Sequence, residues 1–127
     1  MKKSVFPENA PRPAGPYSPA VVAGDFIYVS GQGPTDPATG QYVRDSVQAE
    51  TRQVLRNIQT ILEAAGATLA DVVKCNVYLA DRNDFAAMNE AYQEFFPNDP
   101  PARTTVEAHP PVDIRVEIDC VAYRPQQ

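Results

Sequence analysis

The sequence predicts an α+β fold in which two helices cover one face of a mixed sheet, with the element order ββαβαββ. Two segments with helical periodicity and several short runs rich in β-branched residues predict this class. The chain has 127 residues with 43% hydrophobic composition, which fits one domain, 1–127. A chain of this size buries about two-thirds of its unfolded surface in one core. Right-handed crossovers then place both helices on the same side of the sheet.

Two β-rich runs follow a proline-rich lead-in. Residues 7–19 contain five prolines and little periodicity, which is typical of an extended segment on the surface. The run AVVAGDFIYVSG follows at 20–31, and Gly24 with Asp25 predicts a hairpin turn between its halves. The next segment, GQGPTDPATGQ, is dense in turn residues and lacks a dinucleotide fingerprint or a phosphate-binding loop, so we expect a turn there.

Both helices are predicted by apolar residues at helical spacing. The first begins after Ser46, a suitable N-cap, and ends before Gly66, which suits the C′ position. Its apolar stripe consists of Val47, Val54, Ile58, Ile61, Leu62 and Ala65. The second helix lies within 83–96, and its stripe, more typical of a core than of a cofactor site, consists of Phe85, Met88, Tyr92 and Phe95. We expect the remaining strands at 71–79, 103–108 and 113–123.

Alternation of side chains along the strands predicts one apolar and one mixed sheet face. The side expected to contact the helices contains Ile27, Val29, Val73, Cys75, Val77, Val106, Ile114, Val116, Ile118 and Cys120. The opposite side then contains Tyr28, Ser30, Lys74, Asn76, Tyr78, Arg103, Thr105, Arg115, Glu117 and Asp119. This mixed face is either solvated, as is common in antiparallel sheets, or lines a wet interior with ligand sites between subunits of a symmetric oligomer. Alternation alone favours neither, since one β-bulge reverses the register.

Composition argues against several classes of protein. The net charge of −5 and the absence of a basic run offer no electrostatic surface for nucleic acid or an anionic membrane. No apolar stretch reaches the length of a membrane span and the N-terminus lacks a signal-peptide core, so a cytoplasmic protein is expected. Cys75 and Cys120 lie in strand-like segments and are expected to be free, buried thiols. Neither has a metal-ligand spacing to His109, the only histidine, so we expect no metal site.

The segment FPNDPPARTTVEA at 96–108 places an arginine at the start of a strand. Prolines at 97, 100 and 101 restrict the backbone, so Arg103 follows a stiff lead-in. A guanidinium holds a carboxylate through two parallel hydrogen bonds, and each charge-assisted bond contributes about 1.5–3 kcal/mol. Arg103 is therefore a candidate anchor for a small acid, and an ordinary charge at a strand edge is the alternative.

Three further residues are candidates for the same site. Glu117 is expected on the same sheet face, where burial would raise its pKa and allow it to hold a water or relay a proton. The residues alone favour a simpler role for Glu117, as an exposed cross-strand partner of an arginine. Tyr17 and Ser30 offer hydroxyl groups, although both residue types are common in turns and at strand ends. The sequence contains no Ser-His-Asp pattern and no cofactor motif.

Seven segments in the right order resemble the RidA/YjgF family of reactive-intermediate (enamine/imine) deaminases. They are GPYSPAV at 15–21, IYVSGQ at 27–32, NIQTILEAAGA at 57–67, DVVKCNVYL at 71–79, DFAAMNEAYQEFF at 84–96, PARTTVE at 101–107 and VEIDCVA at 116–122. Together they cover nearly the whole chain. The resemblance implies a chorismate-mutase-like fold and a cytoplasmic homotrimer with a central β-barrel, outer helices and ligand clefts between subunits.

The resemblance also implies the chemistry and the site. Arg103 occupies the position of the family arginine that binds the carboxylate of 2-aminoacrylate or another 2-imino acid, and Glu117 that of a glutamate in the cleft. Tyr17 and Ser30 correspond to further cleft residues. The implied partner is a small carboxylate-bearing imine or enamine, or the keto acid formed from it, and the implied cofactor requirement is none.

The sequence departs from the family pattern at three places. Thr105 stands where many members have a cysteine, which removes any thiol role at this position and is tolerable if the family uses the backbone carbonyl there. Pro19 replaces a common glutamine, and the turn AHPPVD at 108–113 is atypical. The alternatives are a trimeric module that binds small carboxylates without catalysis, a deaminase specialised for another imine, and a ribonuclease-like translation inhibitor. The acidic charge weakens the last of these.

Overall fold

Two α-helices cover one face of a six-stranded mixed sheet in the computed structural model, which describes residues 1–125. The helices are α1 (Val47–Ala64) and α2 (Phe85–Phe95), and the strands are β1 (Lys3–Val5), β2 (Ala20–Ala23), β3 (Phe26–Gln32), β4 (Val72–Leu79), β5 (Ala102–Glu107) and β6 (Val116–Tyr123). The strand order is β1-β2-β3-β6-β4-β5. Only β4 and β5 run parallel among these neighbouring pairs. The predicted α+β class is confirmed.

Strand β1 adds one element to the predicted order. It lies in a lysine-containing segment without strand alternation and forms by pairing with β2, with Lys3 opposite Val22. The predicted hairpin between β2 and β3 is confirmed, and its Gly24 adopts a φ of 60°, which a residue without a Cβ accommodates readily. Among residues 1–125, neither helix combines the length and apolarity that crossing a membrane requires.

Helix α1 has the predicted ends and the predicted buried stripe. The Ser46 hydroxyl accepts a hydrogen bond from the Ala49 amide at 3.0 Å, and Gly66 follows the helix with a φ of 87°. Five apolar side chains of this helix are at most 1% exposed: Val54, Leu55, Ile58, Ile61 and Leu62. They pack with the inner residues of the sheet in one core cluster.

Helix α2 confirms its prediction only in part. Met88 and Tyr92 are buried in the core, but Phe85 is 46% exposed. The prediction for Phe85 was wrong because this residue begins the helix beside the edge strand β5, where its neighbours are the polar Arg103 and Thr105 rather than core residues.

Two β-bulges explain where alternation failed on the long strands. Between Val72 and Lys74, β4 has one residue more than β6, so Val72 turns inward and Val73 is 45% exposed rather than helix-facing as predicted. Between Val29 and Gln32, β3 also has one residue more than β6. This second bulge contains Ser30 and Gly31.

Strand β5 has the opposite orientation to the predicted one. Its parallel pairing with β4 places Arg103 beside Cys75, whose side chain is buried under the helices. Arg103 and Thr105 therefore lie on the helix side of the sheet, and Val106, expected inside, is 43% exposed. The sequence ARTTVE has no apolar alternation that could fix its orientation, so the pairing with β4 decides it.

Glu50 connects α1 to the start of β6. Its carboxylate accepts a hydrogen bond from the Arg115 amide at 2.9 Å and pairs with the Arg115 guanidinium at 3.3 Å. Arg115 thus turns towards the helix layer instead of the opposite sheet face as predicted. Burial raises the pKa of Glu50 and outweighs the lowering by Arg115.

Two substitutions of Glu50 distinguish the contribution of its hydrogen bond to stability from that of its charge. We expect Glu50→Ala to lower the free energy of unfolding by about 1–3 kcal/mol, because the Arg115 amide loses its acceptor. Glu50→Gln keeps an acceptor without burying a charge. The raised pKa of Glu50 means that the folded chain binds this proton more tightly than the unfolded chain. The wild type should therefore lose stability relative to Glu50→Gln as the pH rises from below 4.5 through the folded pKa.

Urea unfolding of the three proteins on both sides of pH 4.5 measures these differences. Equal stabilities of Glu50→Ala and Glu50→Gln at neutral pH would contradict the role of the hydrogen bond. Parallel pH curves of wild type and Glu50→Gln would contradict the raised pKa.

Candidate functional site

The predicted site residues form two separate walls in a single chain. Tyr17 and Glu117 line a cavity of 380 Å³, called here the Glu117 cavity, together with Gly31 and Gln32. Arg103 lines a second cavity of 670 Å³, the Arg103 cavity. The two cavities share no lining residue. Both volumes are in the range of about 300–1,000 Å³ that is typical of small-molecule sites.

Glu117 lies on β6, on the sheet face that the helices leave open. Its side chain packs against Gly31 in the bulge of β3, where a Cβ would come within 3.0 Å of the Glu117 carboxyl carbon and collide with one of its oxygens. Glu117 forms no ion pair with an arginine among residues 1–125, and its neighbour on β4 is Tyr78. Burial raises the pKa of Glu117, and the charge of Asp119 raises it further.

Asp119 extends the polar surface of the open face. Its carboxylate accepts hydrogen bonds from the Asn76 amide at 2.8 Å and from the Tyr78 hydroxyl at 2.9 Å. The hydrogen bond to Asp119 is the main cause of the raised pKa of Tyr78. Each Asp119 oxygen thus has a partner within the chain, whereas the Glu117 carboxylate accepts no hydrogen bond among residues 1–125.

Ser30 and Tyr17 act together in this part of the chain. The Ser30 hydroxyl donates a hydrogen bond to the Ser18 carbonyl at 2.6 Å, and the Ser30 amide donates to the Pro19 carbonyl at 2.9 Å. These bonds fix the segment whose Tyr17 ring forms a wall of the Glu117 cavity. Ser30 does not itself line that cavity, and its hydroxyl proton is used within the chain.

Arg103 is oriented by aromatic rings. Its guanidinium carbon lies 4.7 Å from the centroid of the Tyr92 ring and 5.6 Å from that of Phe85, within the range of a cation–π contact. No carboxylate pairs with Arg103 among residues 1–125. Stacking leaves the edge N–H groups of a guanidinium available, so Arg103 can offer a planar pair of donors to an anion.

Asn89 is a candidate that the sequence analysis missed. It lies on α2 one turn before Tyr92 and lines the Arg103 cavity. Its side-chain oxygen is buried without a hydrogen-bond partner among the described residues. The available signal was a polar residue three positions from Tyr92, which places the two side chains on the same face of the helix.

Thr105 lies two residues beyond Arg103 on the same face of β5. It lines a neighbouring cavity of 390 Å³ with Phe85 and Glu107 rather than the Arg103 cavity. Its strand is at the edge of the sheet, so backbone groups directed away from β4 have no strand partner. No group of three or more His, Cys, Asp or Glu side chains is placed to hold a metal ion in the part of the chain described.

The two walls have complementary chemistry and opposite positions. One provides a guanidinium on the helix side at the sheet edge, and the other provides a half-buried carboxyl group on the open side. Within one chain, Arg103 and Glu117 thus line separate cavities that share no residue.

Comparison with known proteins assigns the family. Residues 7–124 match the family model described as Endoribonuclease L-PSP. A RutC family protein of Pyrococcus horikoshii is 53% identical over 98% of this chain and 99% of its own length. The 2-iminobutanoate/2-iminopropanoate deaminase of Salmonella typhimurium is 44% identical, also over 98% and 99%. The crystal structure of RidA from an Antarctic Psychrobacter species superimposes with a TM-score of 0.91 at 40% identity, over 95% of this chain and 98% of that chain.

These matches extend over almost the full described chain and agree in sequence and in fold. The predicted resemblance is therefore confirmed: the chain belongs to the RidA/YjgF family, whose family model is described as Endoribonuclease L-PSP.

Proposed function

We propose that the chain is a cytoplasmic enzyme that hydrolyses imines of 2-amino acids, such as the imine formed from 2-aminoacrylate, to 2-keto acids and ammonia. The observation that carries the proposal is the presence of an unneutralised, ring-oriented guanidinium on one wall and a carboxyl group of raised pKa on the other. The relatives named as 2-iminobutanoate/2-iminopropanoate deaminases support the same chemistry.

The active unit in this proposal is a homotrimer with sites between subunits. Arg103 and Glu117 lie on opposite sides of the sheet, so one chain alone presents only half of the site. The open face also exposes an aromatic group that a second subunit would cover: Phe26 lies 5.3 Å from Tyr123 and 6.4 Å from Tyr28 between ring centroids. Each of these rings is 40–48% exposed. Contiguous exposed apolar surface of this kind marks interaction sites.

Each wall has a separate part in the reaction. Arg103 holds the substrate carboxylate and thereby fixes the imine carbon, and the Tyr17 ring and the Thr105 backbone carbonyl border the substrate. Ser30 holds the Tyr17 segment in place. Glu117, as the carboxylate, takes a proton from a water that adds to the imine carbon. Glu117 returns this proton to the nitrogen to give the tetrahedral adduct. It then takes the proton of the new hydroxyl group and passes it to the nitrogen as the carbon–nitrogen bond breaks, so that ammonia leaves and the 2-keto acid remains. Positioning contributes most to such a reaction, because water adds to imines readily.

The geometry favours this reaction over RNA cleavage, which the description of the family model suggests. Binding of a polynucleotide depends on several cations along the phosphate backbone. The Arg103 cavity has one guanidinium among its described lining residues, and the chain carries a net charge of −5. A single guanidinium beside an orphaned amide oxygen fits one small carboxylate with a nitrogen donor nearby.

Mixing two inactive variants tests the shared site. Arg103→Gln and Glu117→Gln should each lower kcat/KM for ammonia release from freshly generated 2-aminoacrylate by about 100-fold or more, because each removes charge-assisted bonds from one wall. Co-expressed in equal amounts and allowed to assemble, they should recover about one quarter of the wild-type activity. That fraction is the share of interfaces in a random assembly that receive both intact groups.

Thermal unfolding and mass measurement of each variant provide the folding controls. No ammonia release above buffer by the wild type would refute the deaminase and favour a module that only binds carboxylates. Ammonia release by the wild type without recovery in the mixture would place the whole site within one chain.

The pH dependence of the reaction tests the role of Glu117. Because Glu117 must be ionised to accept a proton and its pKa is raised, kcat/KM should decline as the pH falls through a value above 4.5. Asp119→Asn should move this decline towards lower pH without abolishing it, since burial is the larger cause of the shift. An unchanged profile in Asp119→Asn, measured against buffer blanks at each pH, would remove Glu117 as the titrating group.

Gly31→Ala tests the contact that positions Glu117. The new Cβ collides with the end of a flexible side chain, so Glu117 should swing away while the fold persists. We expect kcat/KM to fall about 100-fold, and the free energy of unfolding to change by no more than about 1 kcal/mol. In a Glu117→Ala background the same substitution should cause no further loss of activity. An additional loss there would show that Gly31 acts other than through Glu117.

A further inference from the structure

Arg12 is a charged residue of the Glu117 cavity that the proposed reaction does not use. It lines this cavity and also an adjoining one of 990 Å³ formed by residues 6–19. Among the described residues that line these two cavities, it is the only Lys or Arg. It forms no hydrogen bond, ion pair or ring contact with any described residue.

The backbone around Arg12 is restricted. Pro11 and Pro13 flank it, and a residue that precedes a proline is confined to extended conformations. The segment continues to Tyr17, where the two hydrogen bonds of Ser30 fix the adjacent residues 18 and 19. Arg12 is therefore a guanidinium on a stiff, anchored segment at the rim of the cavity. Prolines likewise precede Arg103 on the other wall.

The charges around the Glu117 cavity indicate which ligand group Arg12 would bind. Glu117 is the carboxyl group of this cavity, Glu8 is that of the adjoining cavity, and the proposed substrates are anions. Arg103 neutralises one carboxylate from the opposite wall. Among the described residues that line the two cavities, Arg12 is the one cation that a second anionic group on the substrate could pair with, and charges farther away than about 8 Å are largely screened.

We propose that Arg12 selects substrates with a second anionic group, that is, imines of dicarboxylic amino acids. The α-carboxylate binds Arg103 and the distal carboxylate binds Arg12 in a charge-assisted, bidentate contact. The inference rests on the proposed function and names its substrate class. The hydrolysis itself is the one described above, since Arg12 contacts the end of the substrate remote from the imine carbon.

Substrate selectivity measures this role. The rate of ammonia release is compared for iminosuccinate, which has two carboxylates, and for 2-iminobutanoate, which has one, each generated in the assay. Arg12→Gln should lower kcat/KM for iminosuccinate by about 10- to 150-fold, the equivalent of a charge-assisted contact. It should leave kcat/KM for 2-iminobutanoate within about twofold. Arg12→Lys, which keeps the charge and loses the planar fork, should lie between wild type and Arg12→Gln.

Arg56→Gln is the matched control, because Arg56 is exposed on α1 and lines neither cavity. It should change neither substrate's kcat/KM. Equal losses on both substrates in Arg12→Gln, or no loss on either, would overturn the inference. A change in the assembled mass of Arg12→Gln would also overturn it, because Arg12 would then pair with another subunit.

Ligand binding separates this inference from the proposed function. Calorimetric titration with 2-oxoglutarate and 2-oxobutanoate compares a dicarboxylic and a monocarboxylic keto acid without any turnover. Weaker binding of 2-oxoglutarate alone in Arg12→Gln supports recognition of the second carboxylate, even in a chain that releases no ammonia. Equal binding of 2-oxoglutarate by wild type and Arg12→Gln refutes that recognition, whatever the deaminase assay shows.

Discussion

Strand β6 is the element on which the rest of the structure depends, because it pairs with β3 on one side and β4 on the other. Its inward residues Val116, Ile118 and Ala122 are completely buried beneath the helices. Its outward residues alternate with them and include Glu117 and Asp119. The same two-residue period that builds the core therefore fixes the carboxyl groups on the open face. A shift of β6 by one residue would bury both acids and expose the core, so the hydrophobic effect itself maintains the site.

The bulge in β3 determines the surroundings of Glu117 and of the Tyr17 segment. The Glu117 side chain reaches Gly31 of the bulge, where the absence of a Cβ lets the carboxyl group lie against the backbone. The contact removes water from one side of Glu117 and raises its pKa, which a freely solvated strand residue would not experience. Ser30, in the same bulge, uses its hydroxyl group and its amide to hold the Tyr17 segment. One extra residue in β3 thus shapes two walls of the Glu117 cavity.

The sequence was sufficient for the helices, the hairpin and the core strands, since periodicity, the Ser46 cap and the turn at Gly24 are local signals. It was not sufficient where orientation depends on a partner strand. Val73 was assigned to the wrong face because a bulge leaves no trace in the residue pattern. Arg103 was assigned to the wrong face because β5 is an edge strand without alternation, and its orientation follows from parallel pairing with β4. That reversal is what separates Arg103 from Glu117 within a chain. Asn89 was missed because one polar residue on an amphipathic helix carries no local signal of a site.

Cys75 and Cys120 lie opposite each other on β4 and β6, and both are at most 2% exposed. Burial raises the pKa of each thiol, so little thiolate exists at neutral pH while the sheet is intact. A thiol reagent in solution can reach them only when β4 and β6 separate or the helix layer lifts. The rate at which a thiol reagent labels the native protein therefore reports how often the central sheet opens. The dependence of this rate on reagent concentration yields the free energy of opening. The two buried cysteines thus report on the rigidity of the central sheet.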